Sequence, residues 1–277
     1  METGDKKCIG EYTIEKLQEG LYAIDDGGDS SFYVVEGRQR AAVIDTGMGE
    51  TSIVPVVKSL TKLPCVLLLT HGHGDHIRYA PDFPKRYMCS RDIPLVGYFA
   101  KRMGLPETMG ELAFQSIEPG DMIELGGAAI EAVAMAGHTP GSLGFYCEDK
   151  RVLFTGDAIG SGSGVFMQLP GCLDIGSYKE SLEGFVSWAL SRNIGREEIF
   201  LSGHRRQRYG FPGMNRDNPV TLALAEDMIV LCEKLLSGEI HGTSEAALLH
   251  MGDELPRTAS FGKADIVYLE SSLKAPE

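Results

Sequence analysis

The stretch VLLLTHGHGDHIRYA, residues Val66–Ala80, decides how this chain is read. It runs from an apolar segment straight into His71, His73, Asp75 and His76. The chain has 277 residues with seven histidines and 16 aspartates, so a His-x-His-x-Asp-His pattern arises by chance on the order of once in four thousand such chains. An apolar run that ends on a metal-competent side chain also recurs: AAVID ends at Asp45, VLLLTH at His71, VAMAGH at His138, VLFTGD at Asp157 and IFLSGH at His204. Open α/β sheets bind ligands at the carboxyl ends of their strands, where loops converge, so five such ends predict one shared site.

Imidazoles and carboxylates crowded together lose hydration and repel one another unless cations compensate. A metal centre resolves that conflict. The donors are nitrogen and oxygen without thiolate, which suits zinc, with manganese, iron or cobalt as alternatives. Seven of them, His71, His73, Asp75, His76, His138, Asp157 and His204, exceed what one tetrahedral ion uses and fit two ions that share a carboxylate. Gly72 and Gly74 are expected to let the backbone turn tightly, so that neighbouring side chains aim at separate ions. His241 and His250, isolated in the C-terminal region, receive no function.

The rest of the chain sets the frame. A hydrophobic fraction of 43%, a charged fraction of 23% and a mean hydropathy of -0.07 describe an ordinary globular protein. No segment resembles a signal peptide or the ~20 apolar residues of a membrane span, so the expectation is cytoplasmic. Six scattered cysteines without a Cys-x-x-Cys pair read as reduced, mostly core thiols. A net charge of -13 argues against nucleic acid and anionic membrane as partners, leaving a small-molecule substrate. The oligomeric state is not readable.

Short β-branched and aromatic runs recur as LYAID, SFYVVEG, AAVIDTG, CVLLLTHG, AIEAVAMAGH, SLGFYC, RVLFTGD and EIFLSGH, and read as strands. Between them ETSIVPVVKSLTKL and SYKESLEGFVSWALSR carry apolar residues at helical spacing. A third helix is predicted from an Asn218 cap, with Pro219 at its first position, to a stop at Gly238. The class is therefore α+β, with layered sheets covered by helices. One domain is expected over 1–277, with a lid-like insertion at 81–120, a helical segment at 218–250 and a last strand in FGKADIVYLESS.

In order and separation, THGHGDH, GHTPGS, FTGDA and LSGH resemble the metallo-β-lactamase superfamily, closer to its glyoxalase II-like and lactonase-like branches than to true β-lactamases. That resemblance implies a four-layer αββα sandwich of two mixed sheets with helices on both outer faces and the metals at one edge. It implies that His71, His73 and His138 hold one ion, that Asp75, His76 and His204 hold the second, and that Asp157 bridges two zinc ions, with manganese or iron as alternatives. Asp45, in AVIDTG, would lie beneath the site and orient ligands.

Such a centre makes hydroxide available between the ions near neutral pH and needs no serine nucleophile. The reading is a hydrolase of a small ester, thioester or lactone, with Asp75 also moving a proton to the leaving group. A phosphodiesterase and a mononuclear-iron sulfur dioxygenase are the alternatives. Tyr178, Arg205 and Arg208 are candidates for substrate contacts, the arginines as clamps for a carboxylate or phosphate. Phe99, Met103, Phe166 and Met167 are read as core first and as pocket wall second.

Overall fold

The structure is a computed structural model that describes residues 6–27, 30–160, 164–205, 219–244 and 251–274. Along the chain the elements are β1 (Lys6–Ile9), β2 (Tyr12–Gln18), β3 (Leu21–Asp25), β4 (Ser31–Glu36), β5 (Ala41–Ile44), α1 (Val54–Leu60), β6 (Cys65–Leu68), α2 (Gly74–Ile77), β7 (Arg86–Met88), α3 (Val96–Arg102) and β8 (Gln115–Ser116). They continue with β9 (Met122–Glu124), β10 (Ala129–Ala134), β11 (Leu143–Cys147), β12 (Val152–Gly156), β13 (Val165–Phe166), α4 (Ile175–Ser191), β14 (Leu201–Ser202), α5 (Leu222–Leu236), β15 (Thr243–Ser244), β16 (Arg257–Phe261) and β17 (Ala264–Tyr268).

Strands β1 to β8 form one sheet in sequence order, antiparallel as far as β5 and parallel from β5 to β8. A five-stranded ladder runs β14-β12-β11-β10-β9, with β14 parallel to β12. A four-stranded ladder runs β13-β17-β16-β15, and the C-terminal strand predicted in FGKADIVYLESS is β17 within it.

Side-chain alternation turns these ladders into layers. In β4, β5 and β6 every second residue faces one way: Tyr33, Val35, Ala42, Ile44, Val66 and Leu68 pack with Phe145 and Phe154 of the five-stranded ladder. Their neighbours Phe32, Val34, Ala41, Val43 and Leu67 pack instead with Val56 and Val57 of α1 and Val96 and Ala100 of α3. Strands buried on both faces read as continuous apolar runs, which is why AAVI and CVLL lack polar alternation. The opposite face of the smaller ladders, with Val133, Leu153 and Ile266, packs on Leu182 and Phe185 of α4 and Met228 and Leu231 of α5. The order is helices, sheet, sheets, helices: the αββα sandwich.

Two expectations shift. Residues 81–120 are not wholly an insertion, since they supply β7 and β8 to the large sheet, and only part of the stretch, including α3, lies over its helical face. Helix α5 starts later than read: its cap is Thr221, whose side chain accepts from Leu224 N. Val220 is engaged elsewhere, its carbonyl accepting from Phe200 N at 2.8 Å, so the chain is extended up to the cap. Asn218 lies outside the described residues. Among the described residues no helix is long and apolar enough to cross a membrane.

Candidate metal centre

The parallel pairs β5/β6 and β12/β14 deliver Asp45, His71, Asp157 and His204 to one edge, just past their strand ends. His73 caps the short helix α2, which carries Asp75 and His76, and His138 stands in the turn between β10 and β11. The seven predicted donors fall into two groups, each with ligand atoms within 4.8 Å of one another: His71, His73 and His138, and Asp75, His76, Asp157 and His204.

Asp157 Oδ2 joins the groups. It lies 3.1 Å from His204 Nε2, 3.6 Å from His76 Nε2 and 3.9 Å from His138 Nε2. Asp75 Oδ2 is 3.2 Å from His204 Nε2 and 3.3 Å from His76 Nε2. Within the first group His138 Nε2 and His73 Nδ1 are 3.0 Å apart.

The far sides of three of the rings are fixed by hydrogen bonds. His138 Nδ1 lies 2.7 Å from the carbonyl oxygen of Phe166, which can only accept, so Nδ1 carries the proton and a neutral ring presents its Nε2 lone pair. The Thr70 hydroxyl donates to Asp45 Oδ2 at 2.7 Å, which leaves its oxygen to accept from His71 Nδ1 at 3.0 Å. His76 Nδ1 donates to the same Asp45 oxygen at 3.1 Å. Asp45 reaches these partners from a left-handed backbone, φ 60°, a conformation that aspartate tolerates better than most residues.

Electrostatically the two groups differ. Burial, with help from neighbouring imidazoles, holds His71 and His73 well below the usual histidine range, and burial lowers His138 as well, so all three are neutral donors at pH 7. Burial pulls His76 and His204 down too, yet Asp75 and Asp157 more than offset it and hold both imidazoles well above their ordinary value. Burial works against the Asp75 and Asp157 carboxylates in turn, but His76 and His204 hold them well below theirs.

These residues fit a pair of divalent cations. The ring nitrogens His71 Nε2 and His73 Nε2 are buried without a hydrogen-bond partner among the described residues, and an orphaned buried polar atom costs free energy. Room is kept at the acidic group: a Cβ on Gly203 would lie 2.6 Å from His76 Cε1 and closer still to Asp157 Oδ1.

Two of the three predicted substrate contacts are engaged within the protein. Tyr178 is 0% exposed, with its hydroxyl donating to Ala158 O at 2.8 Å, so it props the turn before His138 and has no surface to offer a substrate. Arg205 is held by Glu15 at 2.8 Å and Asp25 at 3.8 Å, two carboxylates that occupy its guanidinium. Arg208 and His250 lie outside the described residues. Phe99 and Met167 are buried, as read, and the Phe99 ring packs 4.0 Å from that of His73. Phe166 is half-buried, and Met103 is exposed and reaches Gly74. Gly72 and Gly74 do not adopt left-handed backbone. Gly72 marks a close approach, where a Cβ would lie 3.0 Å from the Asp92 main-chain oxygen, whereas at Gly74 it would meet Met103 Sδ at 2.6 Å, part of an exposed and flexible side chain.

Two residues at the site escaped the sequence reading. Thr70 relays Asp45 to His71, and its only signal was a polar residue closing an apolar strand. Asp92, fully buried after β7, belongs to no motif.

The sequence model described as "Metallo-beta-lactamase superfamily" matches residues 25–190, more than half of the chain and all of the donors except His204. The chain belongs to this superfamily. Among its metallo-β-lactamase relatives, the hydroxyacylglutathione hydrolase GloC of Haemophilus influenzae is 31% identical over 137 residues, 46% of this chain and 65% of that protein. An atrochrysone carboxyl ACP thioesterase of Pseudocercospora fijiensis is 28% identical over 56% of this chain and 43% of its own length. The chain spans less than two thirds of the length of the curated relatives it matches first. Of the solved structures, TTHA1623 in a di-iron-bound form superposes with a TM-score of 0.54 at 26% identity, over 72% of this chain and 93% of that one.

Proposed function

We propose that this chain is a dinuclear-metal hydrolase of acyl thioesters, with small esters and lactones as secondary substrates. The observation that carries the reading is Asp157 Oδ2, set between a neutral three-histidine group and an acidic group at one edge of the sheets. In this reading His71, His73 and His138 hold one ion, Asp75, His76 and His204 hold the other, and Asp157 serves both. The nitrogen and oxygen donor set favours zinc, with iron next, the metal of the TTHA1623 structure. Two such ions supply a low-pKa water and a Lewis acid for the substrate carbonyl.

The chain's own residues narrow the bond that is cleaved. Asp75 stands at the acidic group, accepting from the Ser30 hydroxyl at 3.5 Å, and is placed to take up a proton. Burial notwithstanding, His76 and His204 keep it an ionised carboxylate, so it holds no proton of its own to give a strongly basic leaving group. A thiolate, with a thiol pKa of about 8.5, leaves without such help, whereas an alkoxide does not. Two relatives named as a hydroxyacylglutathione hydrolase and an ACP thioesterase support the same choice.

The test is metal quantification alongside turnover of acyl thioesters, p-nitrophenyl esters, lactones and bis-p-nitrophenyl phosphate. Two ions per chain and fastest turnover of thioesters are expected, with His73→Ala and Asp157→Ala losing both metal and activity. Turnover confined to the phosphodiester, or one iron per chain with oxygen consumption, would overturn the proposal.

A further inference from the structure

Asp92 touches none of the seven donors, yet it ties together the two loops that carry three of them. Its Oδ2 accepts from Gly72 N at 2.9 Å, the peptide between His71 and His73, and from the Thr139 hydroxyl at 2.6 Å, one residue beyond His138. Its Oδ1 accepts from Gly141 N at 2.6 Å in the same turn. Because Thr139 gives its only hydroxyl hydrogen to Asp92, the Ser142 hydroxyl 2.7 Å away must donate to Thr139, and Ser142 Oγ then accepts from Thr139 N at 3.1 Å. The His138 turn is thus closed on itself and anchored through one carboxylate.

Glycine occurs where the anchor demands it. A Cβ on Gly141 would sit 2.5 Å from Asp92 Oδ1, and one on Gly72 would sit 3.0 Å from Asp92 O. Gly72 in HGHGDH and Gly141 in GHTPGS therefore bring main chain against Asp92, which is 0% exposed. A carboxylate is the side chain that accepts three hydrogen bonds without donating any, so neither asparagine nor a hydroxyl residue replaces it.

We infer that Asp92 is a positioning residue for the three-histidine group, setting the spacing of His71 and His73 against His138 and thereby that group's affinity for its ion. This rests on the metal-centre reading proposed above. Partners of this kind, one layer behind the ligands, change metal affinity by about 10- to 100-fold when removed. Asp92→Asn turns an N–H against donors that now face an oxygen. Thr139→Val removes one donor, and Thr139→Ser keeps it.

The experiment titrates cobalt(II) into the metal-free full chain, following visible absorption and heat. His71→Ala and His204→Ala assign the two binding steps to their groups. Asp92→Asn and Thr139→Val are expected to weaken the three-histidine step by about 10- to 100-fold while the other step is unchanged, and Thr139→Ser is expected to restore wild-type binding. Melting of the metal-free variants supplies the structural control. Should Asp92→Asn fail to fold, the Thr139 pair decides. Unchanged binding at both steps overturns the inference, as does equal weakening of both with a matching drop in melting temperature. A wild-type chain that binds no cobalt overturns the metal reading itself, an outcome distinct from either.

Discussion

Asp45 Oδ2 accepts from His76 Nδ1 at 3.1 Å and from the Thr70 hydroxyl at 2.7 Å, so one buried oxygen orients rings of both donor groups, His76 directly and His71 through Thr70. Its other oxygen accepts from Thr70 N at 2.8 Å. All three partners are donors. Asp45→Asn must therefore present its amide hydrogens to one of them, and the rings lose their fixed tautomers. The expected result is a fall of about 10- to 100-fold in metal affinity, read by competition with a chromophoric chelator. Wild-type affinity in Asp45→Asn would mean that this carboxylate only shapes the end of β5.

The donor groups also make opposite demands on pH. His71, His73 and His138 are depressed by burial, so below about pH 6.5 the unfolded chain takes up protons that the folded chain refuses, and stability falls as pH falls. His76 and His204 are raised by Asp75 and Asp157 against the pull of burial. Their contribution is complete below the unfolded pKa of about 6.5 and is lost as pH rises toward the folded values. The metal-free protein should accordingly melt at its highest temperature near pH 6.5 and decline on both sides. Loading the centre at pH 7 should also release protons, because His76 and His204 must give theirs up to bind a cation. Calorimetry in buffers of different ionisation enthalpy measures that release, and heats independent of buffer would contradict it.

Tyr178 supplies a case in which stability and substrate affinity separate. Its hydroxyl is buried on Ala158 O, and its ring fills the space that a Cβ on Gly137 would take, one residue before His138. Tyr178→Phe leaves a buried carbonyl short of a partner, so a loss of about 1–3 kcal/mol is expected on chemical denaturation. KM should stay at the wild-type value. A raised KM with unchanged stability would return Tyr178 to the substrate side.

Tyr178 also marks where the sequence stops being informative. Strand ends at Asp45, His71, Asp157 and His204 were legible because an apolar run closing on a polar donor has the same meaning wherever it occurs. The layered core was legible for a related reason: β4, β5 and β6 are apolar on both faces, and only a sheet covered on both sides buries such strands. What a tyrosine in the first turn of α4 faces depends instead on a glycine 41 positions earlier, and no periodicity carries that information. The same holds for Arg205, captured by Glu15 and Asp25 from β2 and β3, and for Asp92, whose partners lie 20 to 49 residues away. Gly72 was read for a tight turn, and its close approach to Asp92 O, a residue 20 positions away, is equally invisible in the sequence.

Gly203 offers the sharpest test of how the acidic group is packed. It precedes His204 at the end of β14, and its N–H donates to Gly156 O at 3.0 Å, which holds the two parallel strand ends side by side. The side chains brought together there leave no room at the α-carbon: a Cβ would lie 2.6 Å from His76 Cε1 and closer to Asp157 Oδ1. Gly203→Ala must push Asp157 or His76 aside, and neither is the free end of a flexible chain, since His76 is pinned by Asp45 and Asp157 by His204. Overpacking of this kind costs about 1–3 kcal/mol in the metal-free protein. The larger expected effect is on occupancy. The acidic group should lose its ion while His71, His73 and His138 keep theirs, so metal content should fall from two per chain to one and hydrolysis should drop by at least about 100-fold. Two retained ions with wild-type turnover in Gly203→Ala would show that the acidic group has slack that these distances deny.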